Sequence, residues 1–160
     1  MKRWQRITDH WVYGGFAFSF VLLILLVPFA GSLELLEILL WLHLPAYMWH
    51  QYEEHDDDRF RDFVDRIFGE GILRQNAIFV INVLGVWMLF SVFILIALLF
   101  SPGWGIGVAY LTLVNALVHL AQFIKLRCYN PGLITALILF VPLGGFCLWE
   151  AFKEEEFTVW

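Results

Sequence analysis

The chain has 160 residues, of which 61% are hydrophobic, 18% are aromatic and only 16% are charged, and its mean hydropathy is +0.73. Soluble domains carry about 45–50% apolar and about 25% charged residues, so this composition argues against a water-soluble globule and against a disordered chain. The net charge of −5 argues against a nucleic-acid partner, which requires a basic face, and two cysteines are too few for a disulfide scaffold. The remaining class is a protein that crosses the membrane several times.

Five apolar runs predict five transmembrane helices, because each has about the 20 residues that a helix needs to cross a bilayer. Lipid offers the backbone no hydrogen-bond partners, which favours helices as the spanning structure. The predicted spans are residues 11–31, 33–52, 77–100, 105–124 and 131–152. The second run is the least apolar, since it contains Glu34, Glu37, His43 and Pro45, and a re-entrant or tilted segment is the alternative there.

The connections between the spans indicate a single all-α membrane bundle. Gly31-Ser32 and residues 101–104 form short turns, which make sequential helices antiparallel neighbours. Asn130 is expected to cap the last helix, with Pro131 at its first helical position. Because the sequence has no internal repeat and no low-complexity linker, residues 1–160 are predicted to form one domain.

The longest connection, residues 56–71, predicts a short amphipathic surface helix after the second span. Phe60, Phe63, Val64 and Ile67 recur at helical spacing, with acids and arginines on the opposite face. Such a helix either roofs a functional site or rests on the membrane as a connector. His55, which precedes it, is interpreted together with residues 56–58 as the solvated start of the connection.

Lysine and arginine predict the orientation of the chain. Nine of the ten basic residues fall on one side of the membrane if all five segments span, and only Lys153 falls on the other. The positive-inside rule then places the N-terminus in the cytoplasm and the acidic tail, Glu154–Glu156, outside. A multi-pass protein of the plasma (inner) membrane is therefore expected, with its C-terminus outside.

Polar residues form stripes on three of the predicted helices. On the second, His43, Tyr47, His50 and Glu54 are spaced by three or four residues, which places them on one helix face. The fourth carries a similar stripe of Thr112, Asn115, His119 and Gln122, and the third carries Gln75 and Asn82. The predicted topology gathers His50, Glu54 and His119 near the cytoplasmic surface, so these stripes are expected to face one another.

These stripes predict a metal site formed by His50, Glu54 and His119. Residues four apart on a helix point the same way, so His50 and Glu54 can hold one ion, and His119 completes a set of two histidines and a carboxylate. This set suits catalytic zinc with an open position, which we favour, and equally suits Fe(II).

Glu53, which precedes the proposed ligand Glu54, is the candidate general base. His43, Asn82 and Asn115 are candidate supporting residues, and an interfacial cap or helix packing is the alternative explanation for the polar groups.

The motif His50-x-x-Glu53-Glu54 in a small multi-spanning chain resembles the HXXEE-domain family, which is named for it. That family has no assigned activity, so the resemblance implies where to look for the site and implies no chemistry.

Three functional hypotheses follow from the sequence. The first is a metal-dependent hydrolase that takes a lipid-like or other apolar small molecule from the bilayer. The second is an iron-dependent oxidoreductase that uses the same ligands. The third is a non-enzymatic transport or accessory subunit, in an oligomer or with a partner subunit, whose polar stripes serve packing or proton handling.

Overall fold

A computed structural model describes residues 2–153 of the chain, and those residues contain helices and turns only. Five helices are long: α1 (Lys2–Leu26), α2 (Leu35–His55), α4 (Gln75–Leu99), α5 (Gly107–Leu126) and α6 (Leu133–Lys153). A short helix, α3 (Arg59–Phe68), separates α2 from α4, and a 3₁₀ turn, Pro102–Ile106, leads into α5. The acidic tail Glu154–Glu156, which the predicted topology puts outside, lies beyond the described residues.

Four of the long helices have the length and apolar composition to cross a membrane: Trp4–Leu26, Gln75–Leu99, Pro102–Leu126 and Leu133–Lys153. Their outward side chains are exposed and apolar, as in Ile24 of α1 and Leu117 of α5. This confirms the prediction of a helical membrane protein. It leaves the orientation of the chain as a prediction.

Helix α2 is not among those four, because its glutamates and histidines lower its hydropathy, yet it lies at the centre of the bundle. It packs against α1, α4, α5 and α6, and Leu36, Leu40 and Met48 are almost fully buried in the core. Its 21 residues give a length of about 31 Å, close to the hydrocarbon thickness of about 30 Å. Other helices therefore shield it from lipid, and it needs less apolar surface of its own.

The predicted amphipathic helix is confirmed as α3. Phe63 and Val64 are buried, and Phe60 packs edge-on against the ring of His55. The turn before α3 contains two residues with positive φ, Asp57 and Asp58, which redirect the chain after α2. Aspartate tolerates this conformation better than most residues.

Two helices contain widened π turns, which place one more residue in each turn. These segments are Val80–Trp87 in α4 and Ala136–Phe140 in α6. Pro142 follows the second one, and in a regular helix its ring would clash with the carbonyl of Ile138. π turns occur frequently at functional sites, and both of these lie beside residues described below.

The start of α6 differs from the prediction. The helix begins at Leu133, and the residue before it, Gly132, has φ of +92°, a backbone conformation that favours glycine. The prediction that Asn130 caps this helix with its side chain is wrong, because the Asn130 side chain bonds to α5 instead.

Candidate metal centre

The three predicted ligands come together in the interior of the bundle. His50 and Glu54 lie one turn apart on α2, and His119 faces them from α5. The Glu54 carboxylate oxygens lie 3.7 Å from His50 Nε2 and 3.7 Å from His119 Nε2. Ligand atoms of all three residues lie within 4.8 Å of one another, and the residues are 0%, 8% and 3% exposed.

Hydrogen bonds determine which nitrogen of His50 carries the proton. The Thr135 hydroxyl donates to Glu53 Oε2 at 2.5 Å, because an ionised carboxylate can only accept. The Thr135 oxygen, 3.0 Å from His50 Nδ1, must then accept the Nδ1 proton. His50 Nε2 is left with a lone pair, is buried, and has no hydrogen-bond partner among the described residues.

His119 is fixed in the same way by Asn130. The Asn130 amide nitrogen donates to the His119 carbonyl oxygen at 3.0 Å, which fixes the orientation of the amide. Asn130 Oδ1 therefore accepts from His119 Nδ1, at 2.6 Å. The nitrogen left for a cation is therefore His119 Nε2, which lies 3.7 Å from Glu54 Oε1.

This donor set fits a divalent cation. Two imidazoles, with ring centroids 4.9 Å apart, direct their Nε2 atoms toward a buried carboxylate. Zinc–ligand bonds of about 2.0–2.2 Å imply separations of about 3.3–3.6 Å between the ligand atoms of a tetrahedral site. The two distances of 3.7 Å are close to that range. A cation would satisfy the buried lone pair of His50 Nε2, which otherwise carries a desolvation cost.

Gly132 closes the cluster on the side of α6. A Cβ atom at this position would lie 2.7 Å from Cε1 of both His50 and His119. The positive φ of Gly132 also disfavours any side chain. Both requirements specify glycine where the backbone contacts the two imidazole rings.

Glu53 points toward α6. Its oxygens accept four hydrogen bonds, from the Tyr129 hydroxyl at 2.7 Å, the Ile134 and Thr135 amides at 3.1 and 2.7 Å, and the Thr135 hydroxyl at 2.5 Å. Burial, together with the bond to Glu53, raises the pKa of the Tyr129 phenol to about 12, so it remains a donor at neutral pH. We call these four residues the Glu53 clamp: it joins α2 to the start of α6.

The three predicted supporting residues lie outside the ligand cluster. His43 is fully buried two turns along α2 from His50, and its Nδ1 bonds to the Leu39 carbonyl. Asn82 accepts a hydrogen bond from Gln51 at 2.8 Å, and its amide nitrogen lies 3.4 Å from His55 Nε2. Asn115 is partly buried on α5, and its Oδ1 has no partner among the described residues.

His55 is not solvated, so its sequence-based interpretation is wrong. Its Nε2 lies 3.2 Å from Glu54 Oε2, and its ring packs against Trp11 at a centroid distance of 5.3 Å. Neither this contact nor the roles of Thr135 and Asn130 were predicted. Asn130 lies in the irregular connection before α6, and Thr135 lies in the first turn of α6. No helical spacing relates either residue to the polar stripes.

The fold and the cluster define a helical membrane protein with a buried group of two histidines and one carboxylate. The chain matches, over residues 41–147, the family model described as a protein of unknown function with HXXEE motif, and it belongs to that family. The motif consists of His50, Glu53 and Glu54. His119 and Thr135 also lie in the matched range. Comparison with curated proteins and with solved structures finds no match.

Proposed function

We propose that this protein is a membrane metalloenzyme in which His50, Glu54 and His119 hold one divalent cation, with zinc favoured over iron. The reaction that we favour is hydrolysis of a lipid-like or other apolar substrate. The observation that carries the proposal is the convergence of His50, Glu54 and His119, whose ligand atoms lie within 4.8 Å of one another. Both Nε2 atoms face a buried carboxylate while both Nδ1 atoms are held by other side chains, which suits metal binding better than helix packing.

Three protein ligands leave a position open for water or substrate, as in catalytic zinc sites and unlike structural ones. A divalent ion bound there would lower the pKa of its water to near 7 and polarise a substrate carbonyl. The protein residues supply fixed ligands, and the surrounding helices exclude bulk water. Thr135 and Asn130 hold the Nδ1 atoms, so that Nε2 of each imidazole is oriented toward the cation.

Two roles are open to Glu53. The sequence predicts a general base, and that remains a prediction. Its four accepted hydrogen bonds support a positioning role, in which Glu53 orients Thr135 and, through it, His50. Glu53→Gln separates the two roles, because the amide keeps the size but loses one acceptor. A general base predicts retained metal and lost turnover, whereas a positioning residue predicts lower metal occupancy.

An iron-dependent oxidoreductase is the second candidate. The specific observation that favours it is the ligand set itself, since two histidines and one carboxylate form the triad of non-haem Fe(II) oxygenases. Identifying the bound metal distinguishes the two, and a hydrolase should in addition remain active with Co²⁺.

The test is elemental analysis of the full-length protein, purified in detergent without chelators. We expect near-stoichiometric zinc or iron in the wild type and a loss of at least ten-fold in His50→Ala and His119→Ala. His43→Ala removes a buried histidine outside the cluster and is the matched control, which should keep its metal. A wild type that binds no metal even after reloading would overturn the proposal.

A further inference from the structure

An apolar groove of about 570 Å³ lies between α2 and α6, with α1 along one side. Every residue that lines it is apolar, and those used below are Leu23, Pro45, Ala46, Trp49, Ile138 and Phe146. The one polar atom of the Trp49 ring is satisfied, because it donates to Ser19 on α1. The groove lies within the predicted spans, and Ile138 and Phe146 at its edge are exposed. It therefore opens sideways, where the hydrocarbon of the membrane would be.

The groove extends toward the metal centre along both helices. On α2 its lining residues recur at helical spacing, and the next position on that face after Trp49 is Glu53, four residues further on. On α6 the positions one turn before Ile138 are Ile134 and Thr135. These are the residues that the Glu53 clamp joins, so the clamp lies at the end of the groove. Thr135 also contacts His50, which places the groove end one side chain from the cluster.

The size of the groove favours a thin ligand over a helix. Ligand-binding clefts in proteins measure about 300–1,000 Å³ and are mostly apolar with a few polar groups, which describes the groove together with its clamp. The lining residues span about 12 Å of helix, and a partner helix about 10 Å wide would occupy about 900 Å³ over that length. A single hydrocarbon chain fits both the volume and the lining better.

We propose that the groove binds the hydrocarbon chain of a single-chain lipid, whose polar end lies at the Glu53 clamp beside His50. This inference rests on the proposed function, and it narrows the substrate of that site to amphiphiles with one long chain. The exposed polar side chain of the clamp at that end is Tyr129, whose hydroxyl donates to Glu53 and whose oxygen can still accept a hydrogen bond from the polar end of the lipid.

The test uses the full chain in phosphatidylcholine vesicles and a palmitic acid probe that carries a photoreactive diazirine in its chain. After irradiation, we expect mass spectrometry to locate the adducts on groove residues of α2 and α6, and excess unlabelled palmitic acid to remove them. Adducts spread over all lipid-facing helices, without competition, would overturn the inference.

Ala46→Phe fills the floor of the groove, and Ala121→Phe adds the same bulk to an exposed face of α5. We expect labelling of the groove to fall at least five-fold in Ala46→Phe and to stay at the wild-type level in Ala121→Phe. Unchanged labelling in a folded Ala46→Phe protein would contradict the groove assignment, and the competition experiment decides if that variant does not fold.

Metal content, measured on the same samples, keeps this inference separate from the proposed function. Groove labelling in a protein that never binds metal supports the lipid site and overturns the metalloenzyme. Stoichiometric metal without competable groove labelling supports the metalloenzyme and overturns the lipid site.

Discussion

Two side chains outside the ligand set, Thr135 and Asn130, determine which nitrogen of each cluster histidine carries the proton. A partner on the second ring nitrogen raises the basicity of the ligating nitrogen and fixes the ring, and its loss typically lowers metal affinity by about 10–100-fold. Glu53 extends this arrangement by one further bond, because it accepts a hydrogen bond from the Thr135 hydroxyl. The position of the three candidate ligands therefore depends on α6, although none of them lies on it.

We expect Asn130→Ala to weaken zinc binding by about 10–100-fold, because His119 Nδ1 loses its acceptor. Asn130→Asp keeps an acceptor at that position and should retain most of the affinity. Competition with a fluorescent zinc chelator measures both. Equal losses in the two variants would show that Asn130 acts through general packing.

Gly132→Ala should abolish metal binding and destabilise the protein, because its Cβ would meet both imidazole rings. Gly71 also has a positive φ, of +81°, but a Cβ there meets nothing within 4 Å. Gly71→Ala therefore carries the backbone strain alone, about 1–3 kcal/mol, and should keep its metal. Thermal unfolding and metal content of the two variants test the difference.

Sequence spacing finds some of these residues and misses others for a physical reason. His50 and Glu54 follow from the four-residue period of a helix, and His119 follows from its depth along a neighbouring helix. Asn130 lies in an irregular connection, where no period relates it to His119. Its backbone position depends on Gly132 and on packing against α5, which one sequence does not reveal.

At the scale of elements, α2 makes polar contacts with its neighbouring helices from more than one face. Toward α4, Gln51 donates to Asn82 and accepts from the indole nitrogen of Trp87. Asn82 and Trp87 both lie in the π segment Val80–Trp87, so the widened turns coincide with this contact. The helices follow from apolar runs in the sequence, but these widened turns depend on tertiary contacts and were not predicted.

Gln51→Leu should lower the stability of the bundle by about 1–3 kcal/mol, because Asn82 and the Trp87 indole lose partners in a buried environment. Asn82→Leu should have a comparable effect, and the double variant should lose less than the sum of the two. Unfolding in detergent by increasing SDS measures the cycle. Strict additivity would show that the two residues act independently.

At the scale of the whole molecule, the apolar composition predicted the fold class, and the depth of the polar stripes predicted where they meet. The orientation of the chain in the membrane was inferred from the basic residues alone, and it remains a prediction. The chain's native cysteines allow a test of this orientation. Cys128 lies partly exposed between α5 and α6, whereas Cys147 is buried.

We expect a membrane-impermeant maleimide to label Cys128 from the cytoplasmic side of sealed vesicles and not from the opposite side. Cys128→Ala should remove the labelling, because Cys147 is inaccessible in the folded protein. Labelling of Cys128 from the external side would reverse the predicted topology.

The central position of α2 has a consequence for how the protein is made. Three of the four helices that shield α2 follow it in the chain, so α2 emerges from the ribosome before the partners of its polar stripe exist. The last helix supplies Thr135, and the connection before it supplies Asn130 and Gly132. We therefore expect metal to load only after synthesis is complete, and chains that stop short of α6 to be recognised by quality control as unfinished.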